Sequence, residues 1–177
     1  LKKGVKGRPL KKIAYLETDF GEFGLTELDG SICDVFLTSR TSLSNVVEKE
    51  SPLLKRAKRQ IREYLAGKRR VFDLPLALNG SEFQRTVLAA VLKIPYGETR
   101  SYKQIAEDIG HPRAARAVGT ANRHCRVSII SPCHRVIRSN GSVAGFGEEN
   151  ELRDYLLQME SERTEREAPH RPEPEGL

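Results

Sequence analysis

An α+β chain in two successive units is what the sequence predicts, and three features predict it. Strand-like alternation is confined to the early part of the chain, helical stripes follow, and two short helices are joined by a tight glycine turn. The early strands are "KKIAYLETDFG" (11–21) and "FGLTELDGSICDVFLTS" (23–39), where Asp29-Gly30 between alternating residues is a hairpin signal. "SPLLKRAKRQIREYLAG" (51–67) reads as a helix. Pro52 suits its first turn, Leu53, Leu54, Ala57, Ile61, Tyr64 and Leu65 recur at helical spacing, and Gly67 is a natural C-terminal cap. "VFDLPLALNG" (71–80) is an extended connector ending in the turn signal Asn79-Gly80.

The second unit opens at Ser81, which makes a capping box with Gln84. Phe83, Val87, Leu88, Val91 and Leu92 then share one helical face as far as Pro95-Tyr96-Gly97. Ser101 and Gln104 form a second capping box at the head of "SYKQIAEDIG", Gly110 stops that helix, and Pro112 starts "PRAARAVGTANRH". The pair describes a helix-turn-helix. Its second helix is almost smooth: Ala114, Ala115, Ala117, Gly119 and Ala121 are small, while Arg113 and Arg116 project. "VSIIS" (127–131) is expected to be a short buried strand that delivers Pro132-Cys133-His134. A glycine-rich loop follows, then a last helix striped by Leu152, Tyr155, Leu156 and Met159. The stretch from Ser161, with three prolines and almost no apolar content, is expected to be disordered. The expected organisation is thus 1–78, 79–160 and a tail at 161–177.

Composition bounds the function. With 38% hydrophobic and 31% charged residues among 177, the chain has a core and a well-solvated surface. No apolar run is long enough to span a membrane, and the basic start "LKKGVKGRPLKK" leads into no apolar signal region. Cys33, Cys125 and Cys133 make neither an even disulfide framework nor a C-x-x-C pair, which fits a reducing compartment. A soluble intracellular protein is expected: cytoplasmic, or nuclear in a eukaryote, and monomeric. The net charge of +6 is unevenly spread. Between Gly97 and Asn140, eight Lys/Arg (Arg100, Lys103, Arg113, Arg116, Arg123, Arg126, Arg135, Arg138) face three acids (Glu98, Glu107, Asp108). That stretch suggests a polyanion partner, and it contains Cys133-His134.

"IPYGETRSYKQIA", "ARAVGTAN" and "PCHRVIRSNGSVAGFG" occur in this order with short spacers. In this combination the chain closely resembles the O6-alkylguanine-DNA alkyltransferases, the methylated-DNA–protein-cysteine methyltransferases. The resemblance covers about Ser81 to Glu160, and the first half is compatible in order and size with the family's ribonuclease-H-like domain. It implies such a domain followed by a winged-helix/helix-turn-helix DNA-binding domain.

The resemblance also implies direct-reversal DNA repair. An alkyl group on O6-alkylguanine, or on O4-alkylthymine, in double-stranded DNA passes irreversibly to Cys133, once per molecule and without a cofactor. His134 is implied as the base acting on the thiol through a water, Glu160 as the carboxylate orienting it, and Tyr102 as a donor to the guanine that helps rotate the nucleotide. Arg116 is implied to fill the gap in the base stack, with Arg113, Ala117 and Arg123 beside it on DNA. The backbone of Val136 and the loop Ala144-Gly145-Phe146-Gly147 are the implied walls and donors of the guanine pocket. The chemistry is coherent: a thiol needs a base to become a nucleophile, and a base buried in the duplex must be flipped out.

Three departures from the family pattern stand out. Cys125-Arg126 replaces the Asn-Pro pair whose asparagine ties the helix-turn-helix to the active-site strand, so a looser site is expected. Phe146 stands where tyrosine is common. The zinc-binding members use cysteines and histidines of the first domain, which here has only Cys33 and no histidine, so no metal is expected. Competing readings are a non-catalytic sensor of alkyl damage, a cysteine hydrolase built on Cys133, His134 and Glu160, and a helix-turn-helix transcription factor. The acceptor cysteine argues against the sensor. The adjacent nucleophile and base argue against the hydrolase. The smooth second helix, with few base-reading side chains, argues against the transcription factor.

Overall fold

A computed structural model describes residues 9–39, 41, 43–142 and 148–167. Three antiparallel-linked strands open the chain: β1 (Lys11–Thr18), β2 (Gly21–Leu28) and β3 (Ser31–Leu37). The β2–β3 turn takes left-handed backbone at both Asp29 (φ 49°) and Gly30 (φ 75°), the geometry that suits Asp-Gly hairpins. β4 (Val46–Glu48) then returns to lie parallel to β1, giving the sheet order β3-β2-β1-β4.

α1 (Pro52–Leu65) covers this sheet. Ser51 caps it by accepting from the Leu54 N–H, and its buried stripe is Leu54, Ala57, Ile61 and Tyr64. The helices of the second unit are α2 (Glu82–Val91), α3 (Tyr102–Asp108) and α4 (Ala115–Arg123). Both expected capping boxes are formed, at Ser81/Gln84 and Ser101/Gln104. These helices enclose a second core of Val87, Val91, Ile94, Ile105, Ala106, Val118, Ala121 and Val136. A two-residue parallel pairing of β5 (Arg100–Ser101) with β6 (Val136–Ile137) joins the head of α3 to the segment just after Cys133. α5 (Glu148–Glu167) closes the described chain. None of the described helices is long and apolar enough to cross a membrane.

Three expectations change. α4 starts at Ala115 rather than at Pro112, because the preceding residues form a turn and Ala114 offers no capping side chain. Residues 127–131 are buried as expected, but they are not a strand. Val127 makes one bridge to Val35, Ser128 pairs with Ser131, and Ile129 lies at φ 70°, so the segment doubles back on itself. Finally, the chain does not become irregular at Ser161: α5 continues to Glu167. The extra turns are held from outside the helix. Arg163 donates to the carbonyls of Gly67 and Ala66 at the end of α1, and Arg70 pairs with Glu167. These tertiary anchors offset the poor apolar content of the segment.

The two units are not separate cores. Val127, Ile129 and Ile130 from the loop, and Leu152, Leu156 and Met159 from α5, complete the core of the first sheet with Leu16, Phe23, Leu25, Tyr64 and others. The segment carrying Cys133 therefore lies between the two packed bodies.

Candidate active site

Cys133 begins a single turn of 3-10 helix, Cys133–Arg135, immediately before β6. Tyr102 begins α3 immediately after β5. The β5–β6 pairing (Arg100 with Val136) therefore fixes the two residues on neighbouring chain segments. Both line one cavity of about 790 Å³, together with Gly119, Asn122, Cys125, Ser128, His134 and Arg153. That size suits a nucleobase-scale ligand. Gly119 is where α4 faces Tyr102: a side-chain carbon there would sit 3.7 Å from the tyrosine ring. The small residues of α4 thus leave room beside the ring.

Glu160 organises the charge at this site. It is 1% exposed, yet its two oxygens accept from five donors. These are His134 Nε2 at 2.7 Å, Arg135 Nε at 2.8 Å and Nη2 at 3.0 Å, the Gly97 N–H at 2.9 Å, and the Tyr64 hydroxyl. Burial alone raises the Glu160 pKa, but the bonds from His134, Arg135 and Tyr64 overcome it and bring the carboxyl down to about 2. The bidentate guanidinium is itself fixed, by Nη1 donating to the Ile94 carbonyl at 2.7 Å and by stacking over Tyr96 at 5.5 Å. Gly97 has φ 79°, and this left-handed backbone aims its N–H at the carboxylate.

His134 is buried, and burial lowers its pKa against the opposing pull of Glu160. The imidazole is therefore neutral at neutral pH. With Nε2 engaged by Glu160, and by Tyr64 at 3.2 Å, Nδ1 is the nitrogen left to accept a proton. The Cys133 thiol donates to Ser131 Oγ at 3.7 Å, and the Cys125 thiol lines the same cavity. The neighbouring Cys125 thiol and burial hold the Cys133 pKa well above its ordinary value, so the resting thiol carries its proton and needs a base to become a nucleophile.

The Cys125-Arg126 departure does not leave the site untied. Asn122, buried on α4, donates from Nδ2 to the Cys133 carbonyl at 3.1 Å, and Arg153 of α5 donates to the same carbonyl at 3.3 Å and to that of Val136. Arg126 reaches into the first unit, pairing with the buried Asp34 at 2.6 Å, while its carbonyl accepts from the Val35 N–H at 2.7 Å. Asn122→Ala is expected to cost ~1 kcal/mol of stability and to slow reaction at Cys133; denaturant unfolding and single-turnover kinetics would measure both.

Of the sequence-derived site residues, Cys133, His134, Glu160, Tyr102 and Val136 converge here. The side chain of Val136 is fully buried in the second core, and its backbone carbonyl accepts from Arg153. Arg116, Ala117 and Arg123 are exposed along the side of α4 opposite the buried Val118, Ala121 and Asn122, and Arg113 is exposed in the turn that precedes the helix. Ala144, Gly145, Phe146 and Gly147 lie outside the described residues. Tyr64, Arg135, Asn122 and Arg153 were not foreseen. Arg135 had a signal, since it directly follows His134 in the quoted motif. Tyr64 had none, because it sits in an ordinary helical stripe and reaches Glu160 only through packing between the two units.

Comparison with known proteins agrees with this geometry. Residues 11–78 match the ribonuclease-like domain of 6-O-methylguanine DNA methyltransferase, and residues 82–162 match its DNA-binding domain. The chain is 42% identical over 151 residues to the constitutive methylated-DNA–protein-cysteine methyltransferase of Bacillus subtilis, covering 81% of this chain and 92% of that one. It is 46% identical over 114 residues to the Methanosarcina acetivorans methylated-DNA–protein-cysteine methyltransferase, covering 64% and 72%. Among solved structures, the Mycobacterium tuberculosis OGT in complex with DNA superposes with a TM-score of 0.80 at 38% identity, covering 86% of this chain and 94% of that one. With both of its domains matched, the thiol and imidazole on one cavity and the buried carboxylate bonded to that imidazole, the chain belongs to the 6-O-methylguanine DNA methyltransferase family.

Proposed function

We propose that this protein repairs alkylated double-stranded DNA by direct reversal, with Cys133 as the acceptor of the alkyl group. The observation that carries the assignment of roles is the buried chain from Glu160 to His134, set beside a protonated thiol in an open cavity. Glu160 fixes the imidazole through Nε2, and Nδ1 takes the Cys133 proton through a water molecule. The thiolate then attacks the alkyl carbon. A sulfur–carbon bond forms, the carbon–O6 bond breaks, and its electron pair passes into the guanine. The phenol of Tyr102, on the wall of the same cavity, donates to the ring as that charge develops. The product thioether has no leaving group, so each molecule reacts once.

The target atom lies inside the duplex, so the nucleotide must be flipped out, at a cost of a few kcal/mol. The exposed side of α4 and the turn before it fit that task. Arg113 and Arg123 would face phosphates, Ala117 would allow close approach, and Arg116 would enter the vacated stack.

The test is intact-protein and peptide mass spectrometry after incubation with a duplex carrying one O6-methylguanine. One methyl group should appear stoichiometrically on the tryptic peptide Val127–Arg135, and a Cys133→Ser variant should gain none. Binding of the duplex without methylation of the wild-type protein would instead identify a damage sensor.

A further inference from the structure

The second cysteine at the site has no part in the transfer described above, yet it shares the cavity of the acceptor. Cys125 lies two residues beyond the end of α4, and its side chain lines the same cavity as Cys133, close enough for the two thiols to interact electrostatically. Two other residues clamp the pair. Asn122 accepts from the Cys125 N–H at 3.2 Å through its backbone carbonyl, while its side chain donates to the Cys133 carbonyl at 3.1 Å. Ser131 Oγ accepts from the Cys133 thiol at 3.7 Å. Arg126, the next residue, is pinned to Asp34 at 2.6 Å, so the Cys125 backbone is held from the other side as well. Both cysteines line the same cavity, which gives a small oxidant access to them.

We infer that Cys125 and Cys133 form a reversible disulfide when the protein meets a peroxide, which blocks the acceptor thiol and shields it from irreversible oxidation. The inference rests on the proposed role of Cys133 as acceptor. One thiolate of the pair attacks a peroxide oxygen, the oxygen–oxygen bond breaks, and hydroxide leaves to take up a proton as water. The neighbouring thiol then attacks the sulfenic sulfur, the sulfur–sulfur bond forms, and the second oxygen departs as water with the remaining proton. Two thiols are oxidised by two electrons and one hydrogen peroxide is reduced to two waters. A dithiol reductant reverses the step by thiol–disulfide exchange. The shared cavity and the Asn122 link between the two residues favour this outcome, because the resolving thiol is already beside the oxidised one.

Three neighbouring tryptic sites make the test direct, since cleavage at Arg123, Arg126 and Arg135 separates His124–Arg126 from Val127–Arg135. The reduced full chain is treated with hydrogen peroxide, alkylated, and digested without reduction. The expected result is a species joining these two peptides, lighter by two hydrogens than their sum. In parallel, methyl acceptance from the O6-methylguanine duplex is lost, then restored by dithiothreitol. A Cys125→Ser variant, scored against its own reduced activity, should not recover, and its Val127–Arg135 peptide should carry two added oxygens. The inference is overturned if peroxide inactivates without forming the cross-link, if the cross-link runs to Cys33 instead, or if the variant recovers as fully as the wild type. Failure of the reduced protein to accept any methyl group would refute the alkyl-transfer reading instead, and the mass of the cross-link is scored independently of it.

Discussion

Replacing Glu160 with alanine is expected to be the most damaging single change outside the acceptor cysteine. The carboxylate is buried, and its loss would strand the Arg135 guanidinium, the Tyr64 hydroxyl and the Gly97 N–H inside the protein. Breaking a buried pair by removing one partner costs ~3–5 kcal/mol, because an uncompensated charge stays behind. Much of the protein should then be unfolded or aggregated, as urea titration would report. Glu160→Gln separates stability from chemistry. It keeps the shape and some of the hydrogen bonds but removes the negative charge that orients and supports His134. Methyl transfer should slow by ~10²-fold or more in single-turnover assays, the scale expected for an impaired general base. A Gln variant that folds and reacts at the wild-type rate would remove Glu160 from the mechanism.

The same group sets the acid limit of stability. Its folded pKa of about 2 lies below the ordinary 4.5, so its contribution is fully present above 4.5 and disappears as the pH falls toward 2. Acid unfolding of the wild type should show this loss between those values, and Glu160→Gln should flatten it. Reactivity has an acid limit of its own, set by His134. His134 must be neutral to accept a proton, and burial lowers its pKa from 6.5. The transfer rate should therefore hold as the pH drops through 6.5 and fall only below it. A rate halved at 6.5 or above would show that the imidazole is not the buried one described here.

Arg116→Ala should give the second large effect, and a selective one. The side chain stands exposed on α4, away from both cores, and the structure assigns it no stabilising role, so unfolding should change little, within ~0.5 kcal/mol. Transfer from duplex O6-methylguanine should fall by ~10–100-fold, because the cost of the flipped-out nucleotide is no longer offset by a side chain in the gap. Transfer from the free O6-methylguanine base, which needs no flipping, should be nearly unchanged. Equal reductions on both substrates would place Arg116 in the chemistry rather than in the flip. Arg113→Ala and Arg123→Ala should behave differently, weakening duplex binding and reducing its salt dependence by ~1 in the log–log slope for each phosphate no longer neutralised.

Much of this protein was determined by sequence alone, where local chemistry suffices. The Asp29-Gly30 turn, both capping boxes, the glycine stop at Gly110 and the stripe of α1 are interactions among residues a few positions apart, and they formed as expected. The motif around Cys133 was equally legible, because thiol, imidazole and arginine are contiguous there. Tertiary structure decided what depends on partners distant in the chain. Ser161–Glu167 is helical because α1 and Arg70 supply anchors that composition cannot reveal. The β-branched run 127–131 folds into a tight turn because it has to close the first core while carrying the chain back toward the second. Glu160 could be named from the motif, but its environment could not. Tyr64 and Gly97 are 96 and 63 residues away from it, and only the packing of α1, α2 and α5 around one buried carboxylate brings them within hydrogen-bond reach. The meeting of Cys125 and Cys133 at one cavity is of the same kind. Seven residues of intervening chain say nothing about whether two thiols face one cavity, and it is the reversal at Ile129 and the bridge through Asn122 that bring them there.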